Sequence, residues 1–517
     1  MQRFIAIIET LLIPILLFGP GGITGLSSNT VEDTLNSGQN QCIEYDSIQK
    51  LIQILCDSVH LTDIYTSLKN PSILDVENDG NVSTIGAINS KVWVLNAGIV
   101  VDKEGSLIID STDTSWLKIT ASPTIQLKQK SSNATREEAD YTDDTATVVR
   151  SDTKANTKNM SNNSRIGDGT IVVSKHNGDN PNGIHVHGSL KIDSVKITSW
   201  DSEKNDVIGF DFGKRPGEEH TKSDYDTAEP RPFIRVSKDA IGTTNITNSE
   251  LAYLGYSCSR CSGLSYYGGE GSVIKDNDIH HLLKGFYSKN AGYLTIDSNK
   301  FHDNYLYGID PHTGSHDLVI RDNLVYNNNA SAIICSKHCY TILIEGNEVY
   351  NNTGAARGIA FSINTTKSVA KNNYIHDQSG GISFNRGSDH NAVYNNTILN
   401  CKTGVNLDNT GNNSIYDNKI SCTNYGITLQ NVNNKIYNNK ISLAKNGIVF
   451  EPMAYPNQTN HMAELTIPIA SIKDQQSYLR EIVGANHLVD IKNAYVFKKL
   501  PMNSSVHIDQ SNGNTTP

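Results

Sequence analysis

The sequence has no surplus of basic side chains: 44 Lys and Arg stand against 54 Asp and Glu, a formal net charge of −10 over 517 residues. A protein that binds nucleic acid along its whole surface needs a basic face to release counterions, so that class is excluded. An anionic partner would have to be held in a local basic groove. Aromatic residues make up only 7% and charged residues 19%. Asn, Ser, Thr and Gly crowd the chain instead, a turn-rich composition of β type rather than a helical one. Long apolar runs are missing too, except at the start. There MQRFIAIIETLLIPILLFGPGG carries Arg3 and an apolar run ending near Gly19, weakened by Glu9 and Pro14. The run is too short to span a bilayer comfortably and reads as a secretory signal over 1–26, with an uncleaved anchor as the alternative. Apolar residues still reach 37%, enough for a long core, so wholesale disorder is excluded.

Export fits about a dozen Asn-x-Ser/Thr sequons, among them Asn81, Asn133, Asn245, Asn364 and Asn457. The eight cysteines, Cys42, Cys56, Cys258, Cys261, Cys335, Cys339, Cys401 and Cys422, permit disulfides in an exported chain. Cys258 and Cys261 have redox or zinc spacing, but no second CxxC and no nearby His pair accompanies them. A structural bridge or buried thiols is the favoured reading, and no metal site is expected. Cys401 and Cys422 lie one repeat apart and could stack.

Residues 27–90 read as a linker and a small helical cap, because 46–69 place apolar residues at i, i+3 and i+4. From Val92 the pattern changes to short β runs. Residues 129–168 are polar, almost without core formers, and read as a long surface insertion. The decisive feature begins near residue 273. An Asn followed by an alternating Ile or Val recurs at 277, 299, 323, 347, 373, 396, 418 and 439, in steps of 21–26 residues. A Gly or Ala before an apolar residue keeps the same rhythm at 285, 308, 332, 358, 381, 404, 426 and 447. A leucine-rich repeat would need a Leu framework that is absent, and no helix-period segment separates the runs, which excludes βαβ units. A coil of short parallel strands fits: Ile and Val stack inside, and the Asn residues form an amide ladder at a tight turn. The expected fold is therefore all-β, a right-handed parallel β-helix over 91–455. Residues 456–517 break the rhythm and read as a C-terminal cap and tail.

One repeat departs from the rest: Tyr307-Gly308-Ile309-Asp310-Pro311-His312. With Ile309 inward, alternation sends Asp310 and His312 outward together. Pro311 is costly in a strand that is not ending or bulging, and a rule broken in a regular repeat marks a functional site. The position before the marker Gly or Ala carries Lys284, Tyr307 and Arg357, which places these three along one line. The next turn brings Lys337 and His338 near the level of His312. Together they make a basic, Tyr/His-containing groove suited to a polyuronate chain, against a plain alternative of ordinary surface decoration.

YGIDPH followed by LVIRDN, and the preceding GFYSKNAGYLTIDSNKFHDN, resemble the catalytic turns of the mannuronan (alginate) C5-epimerases, most closely the exported type. The resemblance extends upstream through LTDIYTSLKNP, VWVLNAGIVVD, RPFIRV and LAYLGYS, so it covers most of 60–450 outside the insertion. It implies that Tyr307 and His312 form the acid/base pair, supported by Asp310, with the order of the two left open. The exported type carries Arg where Lys337 stands; a Lys can neutralise a carboxylate, but only as a point charge. Thr313 stands where relatives often have an acidic residue. Lys284, Arg357 and His338 are then substrate-binding candidates. The calcium-binding nonapeptide array of some epimerases is absent; no cofactor is required, and Ca²⁺ dependence stays open without a motif for it.

The implied reaction converts β-D-mannuronate to α-L-guluronate residues by removing the C5 proton and returning one from the opposite face. A cation on the substrate carboxylate stabilises the charge that develops. A β-helix polysaccharide lyase shares the intermediate and expels the 4-O group instead; the third reading is non-enzymatic, an envelope carbohydrate-binding or surface protein or a copper-delivery β-helix that shares these repeats. The expected partner is an anionic polysaccharide, without nucleic acid and without membrane contact beyond the N-terminal segment. A monomer, secreted or in the cell envelope, is expected.

Overall fold

In each repeat the apolar residue at the centre of a three-residue strand is more deeply buried than its two neighbours, and this alternation sets the course of the chain. The computed structural model describes residues 42–77, 91–121, 182–209, 230–257, 260–353, 357–430, 434–450, 482–497 and 507–509. The signal over 1–26 and the insertion over 129–168 lie outside them. Each turn of the coil lays strands on three faces. The first face carries Val273–Lys275, Thr295–Asp297, Val319–Arg321 and Leu343–Glu345, paired in parallel and in strict register, Ile274 to Ile296 to Ile320 to Ile344. The second face carries Asp278–His280, Lys300–His302, Leu324–Tyr326 and Glu348–Tyr350. The third carries Lys284–Lys289, Ile309–His312, Ile333–Cys335 and Arg357–Phe361. The central residues Ile274, Ile279, Phe286 and their successors point into one continuous core and are wholly buried.

The recurring asparagines stack as the spacing requires. Asn277 Nδ2 donates to Asn299 Oδ1 (2.8 Å), Asn299 to Asn323 (3.0 Å), and Asn323 to Asn347 (2.9 Å); the series runs on through Asn373, Asn396, Asn418 and Asn439. Each amide also accepts the backbone N–H of the Asn one turn earlier and donates to a core carbonyl. A buried amide with all its groups engaged stabilises only modestly, whereas removing it strands partners that water cannot reach. Asn323→Ala should therefore lower unfolding free energy by about 2 kcal/mol, read from the urea midpoint. An unshifted midpoint would mean that the ladder is not continuous in solution.

Two expectations are corrected. Of the one or two short helices expected over 46–69, one forms, Leu61–Leu68, burying Leu61 and Ile64, but residues before it do not join a helix. Residues Ile43–Asp46 and Leu51–Ile54 instead make an antiparallel hairpin whose second strand pairs in parallel with Gly98–Val101. Ile52 and Ile54 both face the core, as period-two alternation demands, and the Cys42–Cys56 disulfide closes the hairpin. The expected C-terminal cap differs as well: its described residues extend the coil. Ile482–Gly484, His487–Val489 and Asn493–Phe497 pair with the three strands of the preceding turn, and Asn486 extends the amide ladder from Asn439. Cys401 and Cys422 are bonded across adjacent turns, while Cys335 and Cys339 are buried free thiols.

Candidate active site

The third face carries the departure noted in the sequence. Ile309–His312 lies on Lys284–Lys289 with Phe286 opposite Ile309, Tyr287 opposite Asp310 and Lys289 opposite His312. Toward the next turn, ladder pairing contracts to Ile309 and Ile333, the weakening that a proline in the strand entails. The Pro311 carbonyl stays engaged, accepting the Ser336 N–H at 2.8 Å and the Cys339 thiol at 3.4 Å.

Asp310 was expected on the open surface, and Lys284 against substrate. Instead the Asp310 side chain is fully buried, and Lys284 is committed to it: Nζ donates to Oδ2 at 2.9 Å. Ser336 Oγ donates to Oδ1 at 2.6 Å. The side chain does leave the core, but its neighbours cover it, and a covered carboxylate persists only when paired. The Lys284 ammonium also lies 4.3 Å from the Tyr287 ring centroid and 5.7 Å from that of Tyr307.

His312 and Tyr307 stand at the two ends of this arrangement. His312 is partly buried, with Nδ1 2.7 Å from Thr313 Oγ1 and its ring 5.6 Å from that of Tyr287. Burial depresses its pKa; Asp310 works against this, and the charges of Lys284, Lys289 and Lys337 reinforce it. For Tyr307, burial and then the Asp310 charge push the phenol up to about 12. Lys337 lies close enough to act on His312 and forms no ion pair among the described residues. His338 beside it is exposed, in a left-handed backbone conformation (φ 50°).

The chain thus gathers Tyr307, Asp310, His312, Lys284 and Lys337, and leaves Arg357 apart. Arg357 is two turns beyond Tyr307, about 10 Å along the coil. It lies across Gly380, where an added Cβ would stand 2.7 Å from Arg357 Cδ. Sequence reasoning missed Tyr287, Lys289 and Ser336. The signal was there for the first two: they alternate along the turn before Asp310 and His312, in the same register. Among the described residues, a metal-type cluster forms elsewhere, from His60, Asp110 and Asp113, and Lys191 already holds Asp110 at 3.2 Å.

Two family models match, the right-handed beta helix region over 234–362 and the periplasmic copper-binding protein (NosD) over 313–460. A mannuronan C5-epimerase of Pseudomonas putida is 28% identical over 246 residues, 45% of this chain and 44% of that protein. Mannuronan C5-epimerase AlgG of Azotobacter vinelandii is 31% identical over 245 residues, 45% of this chain and 43% of that protein. Over this region the chain is similar in sequence to mannuronan C5-epimerases. The match spans less than half the length of these epimerases. The crystal structure of the periplasmic alginate epimerase AlgG agrees with this fold at a TM-score of 0.55 and 18% identity, over 89% of this chain and 84% of that one. At that identity the likeness is one of fold, the right-handed parallel β-helix shared with these epimerases.

Proposed function

We propose that the chain inverts C5 of mannuronate residues within a polyuronate, outside the cytoplasm. One observation carries the reading: a single outer strand and the residues just before it set a partly buried imidazole and a partly buried phenol at either end of the Lys284–Asp310 pair, with the Lys337 cation alongside. The substrate carboxylate lies against Lys337, where its charge offsets the negative charge that grows as the C5 proton leaves. His312 is neutral near pH 7, because burial and the surrounding lysines disfavour its charged form. With Nδ1–H donated to Thr313 Oγ1, the lone pair on Nε2 takes the C5 proton. Tyr307 holds its proton to about pH 12 and so serves as the donor on the opposite face. Asp310 keeps Lys284 in place between them. Arg357 and His338 hold uronates farther along the chain, and no cofactor enters these steps.

Proton NMR of polymannuronate turned over in D₂O tests the reading. Guluronate signals with deuterium at C5 and no cleavage are expected. Unsaturated uronate ends, seen as rising ultraviolet absorbance, would make the chain a lyase. Lys337→Ala should lower kcat by at least about tenfold and leave the urea midpoint in place, since its ammonium has no structural partner among the described residues. Parallel losses of stability and turnover would make Lys337 a structural residue.

A further inference from the structure

Rings on the outside of this coil lie flat on one another. His302 lies on Tyr326 (4.8 Å between centroids, 8° between planes), Tyr326 on Tyr350 (5.0 Å, 4°), and Tyr416 on Tyr437 (5.0 Å, 1°). Such stacking covers the faces of the inner rings. Just beyond the candidate catalytic strand the pattern breaks, as it also does where Tyr253 meets His280 edge-on at 82°. His316, four residues past His312, stacks on Tyr340 (4.9 Å, 9°), but Tyr293 of the preceding turn stands across His316 at 88° and 5.5 Å. Tyr293 is 57% exposed and Tyr340 41%. The corner is built to hold this shape. A Cβ on Gly292 would meet His316 Cε1 at 2.3 Å, so only glycine admits the ring, and Asp317 fixes His316 Nδ1 at 2.9 Å. Backbone bridges join Gly292 to His316 and His316 to Tyr340.

We propose that Tyr293, buttressed by His316 and Tyr340, is an auxiliary platform for the same polyuronate, taking the C–H face of a pyranose away from the ring being converted; this rests on the epimerase reading above. The rigid link to His312 supports that occupant. Ser315 Oγ donates to the His312 carbonyl at 2.7 Å and meets Ser288 Oγ at 2.9 Å, which ties the corner to the strand. Lys289, Lys337 and His338 precede the corner on these same turns, so a carboxylate-bearing chain that leaves the strand meets cations before it meets the ring. The electron-rich face of an aromatic ring suits the polarised C–H bonds of a sugar. Two tyrosines and one imidazole offer far too little area for a stable protein interface.

Affinity electrophoresis through gels containing polymannuronate reads binding without turnover. Tyr293→Ala/Tyr340→Ala should raise the dissociation constant about tenfold, the effect expected for losing an aromatic contact. Tyr293→Ala alone, which removes only the most exposed ring, should shift it in the same direction by less. Tyr374→Ala, at a tyrosine on the second face as exposed as Tyr340, should leave it unchanged. In turnover, KM should rise for long polymer and stay level for trimers too short to reach the corner, with kcat held. A wild-type protein that is not retarded, or a double variant retarded like wild type, would overturn the platform. Retardation lost in the double variant, from a wild type that inverts no uronate, would keep the platform and remove the epimerase reading.

Discussion

His312→Ala should lower kcat for C5 inversion at least about 10²-fold, the usual scale for losing a general acid or base, and leave KM nearly unchanged. On this reading the polymer is held along several turns, by Arg357, His338 and their neighbours, so losing one imidazole should change KM little. His312→Asn should do no better, because an amide cannot carry a proton at this pH. Stability should change by less than about 1 kcal/mol, since the ring is only partly covered and, among the described residues, its hydrogen bond is to the adjacent Thr313. The pH profile supplies an independent check. A base works in its neutral form, and burial depresses the His312 pKa below the ordinary 6.5. Activity should thus hold through neutrality and fall only in acid, below pH 6.5, as the ring gains its proton. On the alkaline side Tyr307 keeps its proton to about pH 12, so the plateau should be wide. An acid limb above pH 6.5, or wild-type C5 exchange in His312→Ala, would place the chemistry elsewhere.

Asp310→Ala should destabilise the fold by about 3–5 kcal/mol, the cost of breaking a buried ion pair from one side. The Lys284 side chain is only 17% exposed and would be left with no carboxylate beside it. Ser336 Oγ would lose its acceptor as well. The double change Asp310→Leu/Lys284→Met should restore most of that stability, because a well-packed apolar pair can replace a buried salt bridge. It should restore no turnover, because Lys284 would no longer stand between Tyr287 and Tyr307. Urea midpoints and C5 exchange, measured on the same samples, separate the two effects. An Asp310→Ala protein as stable as wild type would show that the pair is solvated in solution.

The repeats were legible because an amide ladder demands the same residue at every turn. Asn277 to Asn439 therefore stand out from any background of chance asparagines. Tyr307, Asp310 and His312 were legible for the opposite reason, as a breach in that regularity. The partner of Asp310 was not. Strict register sets Lys284 beside Tyr307, and its long side chain reaches diagonally to a carboxylate three positions further along the next turn. The hairpin over 43–54 was misread because a few clustered apolar residues satisfy a helical period and a two-residue period equally well. The left-handed Lys50 (φ 55°) that turns the chain back leaves no mark in hydropathy.

The step from Asn439 to Asn486 is 47 residues, against 21 for the step before it, yet the amide bond across it is 3.0 Å, like its neighbours. A chain that leaves at a corner and returns to the next rung pays only loop-closure entropy, about 0.6 kcal/mol for each doubling of length. Shortening a rung by one residue would instead turn every inward side chain outward. Length is therefore nearly free at the corners and fixed along the faces. A scaffold with that property can acquire, lose or exchange whole excursions without disturbing Tyr307 or His312. Foreign segments inserted at a corner of the coil should leave the rungs, and whatever chemistry they carry, in place.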